Sequence, residues 1–319
     1  MVSRAMAALA MAPILQQRRC PDGRSAGLAQ ARLGRENMHR TTSGDTLRKQ
    51  ISEIASEGGA LSVGLAFYDY ETRSSGSFEG EKWFHAASTI KVPVLVGVYG
   101  ALARGDLHEY SRIHVRNRFL SAADGEPFRV QSGRDANSVV HANVGKTMRV
   151  DELARHMIVT SSNLATNLLI DILGVDRLQQ TLEELGVKGV DFKRGVEDES
   201  AFEADMSNRV TAAGLVGVLR LIEERRAFSE EASAAMLDIL HQQEFRSGIP
   251  AGLPDDARVA NKTGEISTVA HDAGLVYLPD RKPYALAILT EWDASATSGR
   301  RKTLANLSRA VYRHLTESD

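Results

Sequence analysis

Ser88 and Lys91 are the residues of this sequence whose types and spacing most directly suggest a reaction. They stand three residues apart, so on a helix their side chains lie on one face within reach of each other. A serine hydroxyl becomes a useful nucleophile when a base takes its proton, and a buried lysine with a lowered pKa is such a base. The start of a helix also favours an oxyanion. This spacing alone is more often an N-cap serine followed by a solvated lysine.

Two further polar motifs follow downstream. Ser161-Ser162-Asn163 stands between two helical patterns, where a hydroxyl could relay a proton and the asparagine amide could hold a substrate amide. Lys262-Thr263-Gly264 offers a cation and a hydroxyl for a carboxylate, and its glycine would let a ligand approach the main chain closely. Each motif alone also has a plainer interpretation, a helix N-cap for the first and a solvated turn for the second.

The elements around these motifs predict a mixed α and β protein. Apolar alternation and apolar runs indicate strands at 61–67, 77–84, 273–278 and 284–290. Helical spacing dominates between the early and late strands, and the Ser88 helix must begin irregularly because Pro93 follows so closely. The expected fold class is therefore α/β in the α+β sense: an antiparallel sheet built from both chain ends with flanking helices, plus an all-helical insertion.

The same pattern predicts how the chain is organised. Residues 45–88 and 212–319 are expected to form the α/β domain, and residues 89–211 a helical domain with an active-site loop at 187–210. A crevice between the two is the natural place for a site. Residues 1–44 are expected to be a tail outside the fold, either a poor secretory signal or the result of a start assigned too early.

Composition and charge argue against several classes of function. The 319 residues are 43% hydrophobic and 25% charged, as in ordinary globular proteins. A net charge of -2 argues against electrostatic binding of nucleic acid or of an anionic membrane, and no apolar run is long enough for stable membrane insertion. The single cysteine, Cys20, leaves no intrachain disulfide, and no histidine pair has the H-x-x-x-H spacing of a zinc site.

Together and in this order, S-x-x-K, S-x-N and K-T-G resemble the signature of the penicillin-recognising serine enzymes. The spacing is most similar to that of the class A serine β-lactamases, and the resemblance runs from about residue 45 to the C-terminus. It includes the local sequences SSNLATNLL at 161–169 and NKTG at 261–264. The resemblance implies the β-lactamase/transpeptidase-like fold, a small-molecule β-lactam as substrate, and no metal or organic cofactor.

The resemblance also implies catalytic roles. Ser88 looks like the nucleophile that opens the β-lactam ring and becomes acylated, and Lys91 like its partner in proton transfer. Ser161 would pass a proton to the leaving lactam nitrogen. Class A enzymes deacylate with a glutamate on a loop after the S-x-N motif. Glu197, which follows Arg194 in such a loop, matches that glutamate best, although its plainer interpretation is a solvated loop charge.

Substrate-binding roles follow from the resemblance in the same way. Asn163 would bind the side-chain amide of the substrate, and Lys262 and Thr263 would hold its carboxylate. Gly264 completes that motif and would let the substrate approach the main chain closely. The main-chain N–H of Glu265, together with that of the nucleophile, would form the oxyanion hole, where preorganised donors lower the barrier most.

Several residues depart from the family pattern. The middle residue of the second motif is Ser162, where the family usually has aspartate. The loop reads RGVED at 194–198 instead of arginine, any residue, glutamate and proline, and Asn208 stands near the place of the aspartate that pairs with the loop arginine. His271 and Asp272 stand where an arginine is usual after K-T-G. The stretch between the first two motifs is also longer than usual. These differences are compatible with acylation and put rapid deacylation in question.

The sequence therefore predicts a monomeric class A-like serine β-lactamase. The nearest alternative keeps the fold and the Ser–Lys pair: a related esterase or peptidase, or a penicillin-binding protein that acylates but deacylates poorly. A third alternative is a penicillin-binding sensor or a silent binding module. The protein is expected to be periplasmic or secreted if its N-terminus acts as a signal, and a cytoplasmic location is the alternative.

Overall fold

The computed structural model describes residues 43–296 and 298–317. Almost all of the predicted tail at 1–44, including Cys20, lies outside these residues. Within them the chain forms, in order, α1 (Ser43–Gly58), β1 (Ser62–Asp69), β2 (Ser74–Phe78), β3 (Phe84–His85), α2 (Lys91–Arg104), β4 (Arg112–His114), β5 (Phe119–Leu120), β6 (Pro127–Phe128), β7 (Thr147–Arg149), α3 (Val150–Val159), α4 (Asn163–Leu173), α5 (Val175–Glu184), β8 (Val190–Asp191), α6 (Glu199–Glu203), β9 (Arg209–Val210), α7 (Ala212–Glu223), α8 (Glu230–His241), β10 (Arg258–Ile266), β11 (Val269–Tyr277), β12 (Tyr284–Glu291) and α9 (Arg300–Thr316).

Early and late parts of the chain contribute to one five-stranded antiparallel sheet. Its order is β10-β11-β12-β1-β2, so β1 pairs with the last strand, with Ser62 opposite Glu291 and Asp69 opposite Tyr284. β11 and β12 are buried almost throughout, which explains why their sequences are nearly continuous apolar runs. The predicted antiparallel sheet with flanking helices is confirmed.

Helices pack on both faces of this sheet. On one face α1 and α9 contact each other, and Leu47, Ile51, Leu304 and Leu307 form an apolar core with residues of β1 such as Leu65. On the other face α7 packs on β1 and β12, and α8 packs on β10. The second core continues from there into α2, α3 and α4. Successive residues of β1 point to opposite faces and thereby serve both cores.

The middle of the chain is mainly helical, but it is not all-helical as predicted, because the short strands β4 to β9 also lie there. α2 packs against α3, α4 and α5, and every residue from Lys91 to Val98 is buried. A helix buried all round needs a nearly apolar sequence, and α2 reads KVPVLVGVYGALAR. The division into an α/β domain and a helical domain stays a prediction. Within the described residues, no helix combines the length and apolar character needed to cross a bilayer.

Two strands differ from the apolar pattern. The second strand ends at Phe78 instead of running over 77–84, because Glu79 has a left-handed φ of 47° and a turn closes from Lys82 N to Glu79 O. The pattern gives no sign of β10, since its buried residues include Asn261 and Lys262. The K-T-G motif therefore lies on a strand at the edge of the sheet, and its plainer interpretation as a solvated turn is wrong.

The Ser88 helix begins irregularly, as Pro93 requires. A 3-10 turn over Ala87–Ile90 leads into α2, which begins at Lys91. Pro93 thus lies in the first turn of the α-helix, where its missing N–H would have no intrahelical partner. α2 ends at Gly105, whose φ of 78° is the left-handed conformation common at helix ends.

Candidate active site

Ser88 lies in a turn that hydrogen bonds hold on both sides. The turn begins at Ala87, whose φ of 44° is a costly conformation for a residue with a side chain. Its N–H donates to His85 Nδ1 at 3.0 Å, and burial lowers the pKa of His85 to about 4, which keeps that nitrogen an acceptor at neutral pH. Thr89 Oγ1 donates to Ala86 O at 2.6 Å. The half-buried Ser88 is thereby fixed at the edge of a cavity.

Lys91, three residues after Ser88, is fully buried. Its Nζ donates to Ser161 O at 2.7 Å, to Ser161 Oγ at 3.1 Å and to Asn163 Oδ1 at 2.6 Å. Burial lowers the pKa of Lys91 to about 7, although the nearby Asp135 and Glu197 carboxylates favour its charged form. At neutral pH a substantial fraction of Lys91 is therefore an uncharged amine that can accept a proton.

The connection between α3 and α4 presents the second motif. Ser161 has a left-handed φ of 58°, and Ser162 Oγ caps α4 by accepting from Ala165 N at 3.2 Å. The N-cap interpretation thus describes the middle serine, while its neighbours face the cavity. Asn163 Oδ1 accepts from Lys91, and Asn163 Nδ2 donates to Glu197 Oε1 at 2.7 Å. One amide therefore links the buried lysine to the loop glutamate.

Glu197 is held from two directions. Besides the bond from Asn163, its Oε2 accepts from Gln131 N at 3.0 Å and lies 3.9 Å from Arg134 Nη1. Only 8% of its side chain is exposed, and its φ is 60°. Its partners are at least 34 residues away in the chain, so long-range contacts fix the carboxylate beside the lysine. The solvated-charge interpretation of Glu197 does not describe this environment.

Two further asparagines hold the loop that carries Glu197. Asn167 bonds both main-chain groups of Val196, accepting from its N at 2.7 Å and donating to its O at 2.8 Å. Asn208 Oδ1 accepts from Lys193 N and Arg194 N, and its Nδ2 donates to Arg194 O at 2.9 Å. Asn208 thus meets the main chain of the loop arginine, whose guanidinium donates instead to carbonyl oxygens, those of residues 195 and 206.

The third motif lies on β10, directly across from the nucleophile turn. Lys262 is fully buried and donates to Thr263 O at 2.8 Å, and its pKa lies well below the usual value because of burial and then the nearby charge of Lys91. A Cβ on Gly264 would come within 3.1 Å of Ser88 N and 3.0 Å of Thr89 N. Glycine is thus required at position 264 because the main chain of the nucleophile turn approaches the strand closely.

A neutral histidine, His271, stands where the family usually has an arginine after K-T-G. His271 Nδ1 accepts from Thr290 N at 3.1 Å, so Nε2 carries the proton and donates to His85 O at 2.9 Å. Burial lowers the pKa of His271 to about 4, which leaves it neutral at pH 7. Arg301 of α9 lines the same cavity and donates to the Glu265 carboxylate at 3.1 Å.

These groups surround a cavity of about 470 Å³. The predicted site residues among its lining are Ser88, Ser161, Asn163, Thr263, Gly264 and Glu265. Of the other three, Lys91 and Lys262 are fully buried, and Glu197, with 8% of its side chain exposed, lines a separate cavity with Gln131 and Glu199. Lys91 has a lowered pKa, stands three residues from Ser88, is bonded to the Ser161 hydroxyl and has the Glu197 carboxylate one amide away. This arrangement is suited to acyl transfer to Ser88 followed by hydrolysis.

Three residues beside the site are not indicated by any motif. Asp135 and Gln131 come from the aperiodic segment between the first two motifs, and no sequence signal marks them. Asn167 stands in the 161–169 sequence that resembles the family, four residues after Asn163, which is one helical turn. That spacing predicts that Asn163 and Asn167 lie on the same face of the helix, and it is the one signal in the sequence that indicates Asn167.

The chain is similar to known proteins both in sequence and in structure. Residues 46–315 match the family model described as the β-lactamase enzyme family. A β-lactamase of Bacteroides uniformis is 27% identical over 178 residues, which is 52% of this chain and 60% of that relative.

Solved structures match over a longer range. PBP-A, solved as a mutant in an acyl-enzyme complex with penicillin G, is 27% identical with a TM-score of 0.73, covering 86% of this chain and 97% of that chain. A variant of the last common ancestor of the class A β-lactamases of Gram-negative bacteria is 25% identical with a TM-score of 0.75, covering 85% and 99%. The predicted class A-like fold is confirmed by both.

Proposed function

Because the chain belongs to the β-lactamase enzyme family, we propose that it is a class A-like serine β-lactamase that acylates Ser88 and then hydrolyses the ester with a water activated by Glu197. The observation that carries this proposal is the amide of Asn163, which bonds to Lys91 on one side and to Glu197 on the other. It joins the base that acylation needs to the carboxylate that deacylation needs.

Acylation begins with the Ser88 hydroxyl. Lys91 in its uncharged form takes the proton while Ser88 Oγ attacks the lactam carbonyl carbon. The main-chain N–H groups of Ser88 and Glu265 stabilise the oxyanion that forms. When the C–N bond breaks, the lactam nitrogen takes a proton from Ser161 Oγ, which Lys91 Nζ replaces across their 3.1 Å hydrogen bond. The lysine is uncharged again, and the serine carries the acyl group.

Deacylation uses Glu197, which is bonded to the other side of the Asn163 amide. Glu197 takes a proton from a water, and the resulting hydroxide attacks the ester carbonyl carbon. The bond to Ser88 Oγ then breaks, and the proton held by Glu197 returns to the serine by way of the local hydrogen-bond network. The Asn163 and Gln131 donors orient the carboxylate for the first of these transfers.

Substrate binding is assigned to the strand wall of the cavity. Thr263 offers a hydroxyl to the substrate carboxylate, and Lys262, fully buried on the same strand, favours that anion in its protonated form. Asn163 presents its amide to the side-chain amide of the substrate. Arg301 adds a cation from α9 on the same wall, since His271 is neutral there.

One alternative has a specific observation in its favour. The similarity to PBP-A, whose solved mutant carries a penicillin G acyl group, favours a penicillin-binding protein that acylates but deacylates poorly. A related esterase or peptidase would use the same Ser88, Lys91 and Ser161. These alternatives differ from a β-lactamase in the fate of the acyl-enzyme or in the preferred acyl donor.

The decisive experiment follows intact mass and lactam absorbance together after purified protein is mixed with a penicillin. Turnover with a transient adduct on Ser88 supports the β-lactamase. A persistent stoichiometric adduct supports the penicillin-binding protein, and ester hydrolysis without an adduct from penicillin supports the esterase. The Ser88→Ala variant is expected to lose both adduct and turnover, and turnover by that variant would overturn the proposal.

The Glu197→Gln variant separates the two half-reactions. It removes the base but keeps a side chain that can accept from Asn163. Deacylation is expected to slow by about 10²–10⁴-fold, so the penicillin adduct accumulates while acylation changes little. Glu199→Gln is the matched control, because Glu199 is an exposed glutamate of the same loop. Unchanged turnover in Glu197→Gln would assign the base to another group.

Three further properties belong to this proposal. The protein is exported to the periplasm or secreted, which N-terminal sequencing of the protein recovered from each cell fraction tests. It acts as a monomer, which light scattering tests. Residues 89–211 form a helical domain against the α/β domain of 45–88 and 212–319, which limited proteolysis tests. Recovery of active protein only from the cytoplasm would contradict the first.

A further inference from the structure

Asp135 is a buried carboxylate beside the cavity that the reaction above does not use. It follows the 3-10 turn Ser132–Arg134, in the aperiodic segment between the first two motifs, and its side chain is completely buried. An aspartate is almost never fully buried unless it is paired, because burial without partners disfavours the charged form strongly. The groups that pair with it therefore indicate what it does.

The partners of Asp135 are concentrated at the start of α4. Its Oδ1 accepts from Asn163 N at 2.6 Å, and its Oδ2 accepts from Ser162 Oγ at 2.8 Å and from Leu164 N at 3.5 Å. His141 Nε2 lies 3.2 Å from Oδ2. The N–H groups of Asn163 and Leu164 are among the four that a helix leaves unpaired at its start, and a carboxylate is favoured there. Asp135 thus holds the main chain of Asn163, the residue that links Lys91 to Glu197, from outside α4.

The same short segment also reaches the other side of the cavity. Gln131 N donates to Glu197 Oε2 at 3.0 Å, and Arg134 Nη1 lies 3.9 Å from that oxygen. Four residues further along, Asp135 holds Asn163 N. The segment 131–135 therefore fixes both ends of the Asn163–Glu197 hydrogen bond.

We propose that Asp135 is a positioning residue for acyl transfer at Ser88, an inference that rests on the proposed function. Position 162 carries a serine, which cannot offer a carboxylate to the start of α4. Asp135 supplies that carboxylate from 27 residues earlier in the chain. Its bond to Asn163 N sets the position from which the Asn163 amide meets Lys91 and Glu197.

Asp135 also acts on Lys91 through its charge. After burial, the charge of Asp135 is the largest influence on the pKa of Lys91, and it favours the protonated lysine. Removing the charge is expected to lower that pKa below about 7. Lys91 must be uncharged to accept the serine proton, so the rise of the acylation rate with pH is expected to move to lower pH. A residue that only supports the fold would slow acylation without moving this rise.

The test compares Asp135→Asn with wild type over pH 5 to 9, using two reagents that acylate or phosphonylate Ser88: a penicillin and a fluorophosphonate. Asp135→Asn is expected to react about 10–100-fold more slowly with both, with its pH profile displaced towards acid. Asp124→Asn removes an exposed aspartate from the same segment and is expected to leave rate and profile unchanged. An Asp135→Asn rate and profile equal to wild type would overturn the proposal.

A second variant covers the case in which Asp135→Asn does not fold. Asp135→Asn combined with Ser162→Asp returns one carboxylate to the start of α4 from within the motif. This double variant is expected to fold and to recover most of the labelling rate. A folded double variant that labels as slowly as Ser88→Ala would overturn the proposal.

The two reagents also separate this inference from the proposed function. Labelling of wild type by the fluorophosphonate but not by penicillin would overturn the β-lactamase proposal and leave the Asp135 test intact. Labelling by neither would overturn both, since there would be no activated serine for Asp135 to position.

Discussion

The site has two sides that are held by different kinds of bond: a strand wall, which lines the cavity, and a loop wall, which carries Glu197. In the strand wall, Lys262 to Gly264 belong to β10, which pairs with β11 along its whole length, from Arg258 opposite Tyr277 to Ile266 opposite Val269. In the loop wall, Glu197 belongs to a loop held by single side chains, chiefly the amides of Asn163, Asn167 and Asn208. A main-chain ladder does not depend on which side chains it carries, whereas a loop held by three amides depends on each of them.

This difference separates the two half-reactions. The strand wall and the nucleophile turn carry what the proposed acylation requires. The loop wall carries Glu197, which only deacylation requires. We therefore expect changes to the ladder to affect acylation and folding together, and changes to Asn167 or Asn208 to affect deacylation first. The following variants would break or sharpen that distinction.

Gly264→Ala is expected to have the largest effect. Its Cβ would come within about 3.1 Å of main-chain atoms of Ser88 and Thr89, so the strand and the nucleophile turn must move apart. We expect acylation to fall by about 10²-fold or more, because small misplacements of reacting groups are costly, and stability to fall by about 1–3 kcal/mol. Penicillin labelling kinetics and thermal unfolding measure the two effects.

Gly217→Ala is the control for that variant. Gly217 lies in α7, and a Cβ there would have nothing within 4 Å. The alanine is expected to leave acylation unchanged and to stabilise the helix by about 0.5–1 kcal/mol. Equal behaviour of the two glycine variants would show that the contact between β10 and the nucleophile turn does not constrain acylation.

Asn167→Ala tests the loop wall and should have a smaller effect. It removes both bonds to the main chain of Val196, next to Glu197, at a local cost of about 1–3 kcal/mol. Deacylation is expected to slow by about 10-fold while acylation stays within a few-fold of wild type. Asn143→Ala, which loses one exposed bond to Val139 O, is the control. An equal loss in both half-reactions would mean that the two walls are not independent.

The smallest effect concerns pH and the imidazoles beneath the nucleophile turn. The pKa of His271 is lowered from 6.5 to about 4, so the unfolded chain takes up its proton at a higher pH than the folded protein. This contribution to stability is complete above pH 6.5 and is lost as the pH falls towards 4, by at most about 1.4 kcal/mol per pH unit. His271→Asn is expected to flatten that decline in urea unfolding, and the exposed His108→Asn is not. An unchanged slope in His271→Asn would contradict the assignment.

Much of the strand wall and its chemistry could be predicted from the sequence. Three short motifs identified Ser88, Lys91 and Lys262, because residues three apart on a helix or adjacent on a strand have nearly fixed relative positions. The strand β10 itself was missed, since buried polar residues such as Lys262 remove the apolar alternation that indicates a strand. The position of a motif was thus easier to predict than the element that carries it.

The contacts that hold the loop wall could not be predicted from the sequence. Glu197 could be selected by its distance from the second motif, but its bonds to Asn163 and Gln131 join residues 34 and 66 apart in the chain. Asp135 could not be selected, because it lies in a segment without periodicity and its contacts depend on how that segment folds back. Asn208 was placed near Arg194 correctly, yet its partner is the main chain of the arginine.

Three residues around the cavity, Ala87, Ser161 and Glu197, have left-handed φ values of 44°, 58° and 60° although none is glycine. Each conformation costs about 1–2 kcal/mol, and at Ala87, whose side chain is one methyl group, glycine would relieve that strain without removing a hydrogen bond. A search for heat-resistant variants would therefore tend to select a substitution at Ala87. Such variants would gain stability and lose the fixed geometry on which the proposed turnover depends, so efforts to increase thermal stability should start from helix sites such as Gly217.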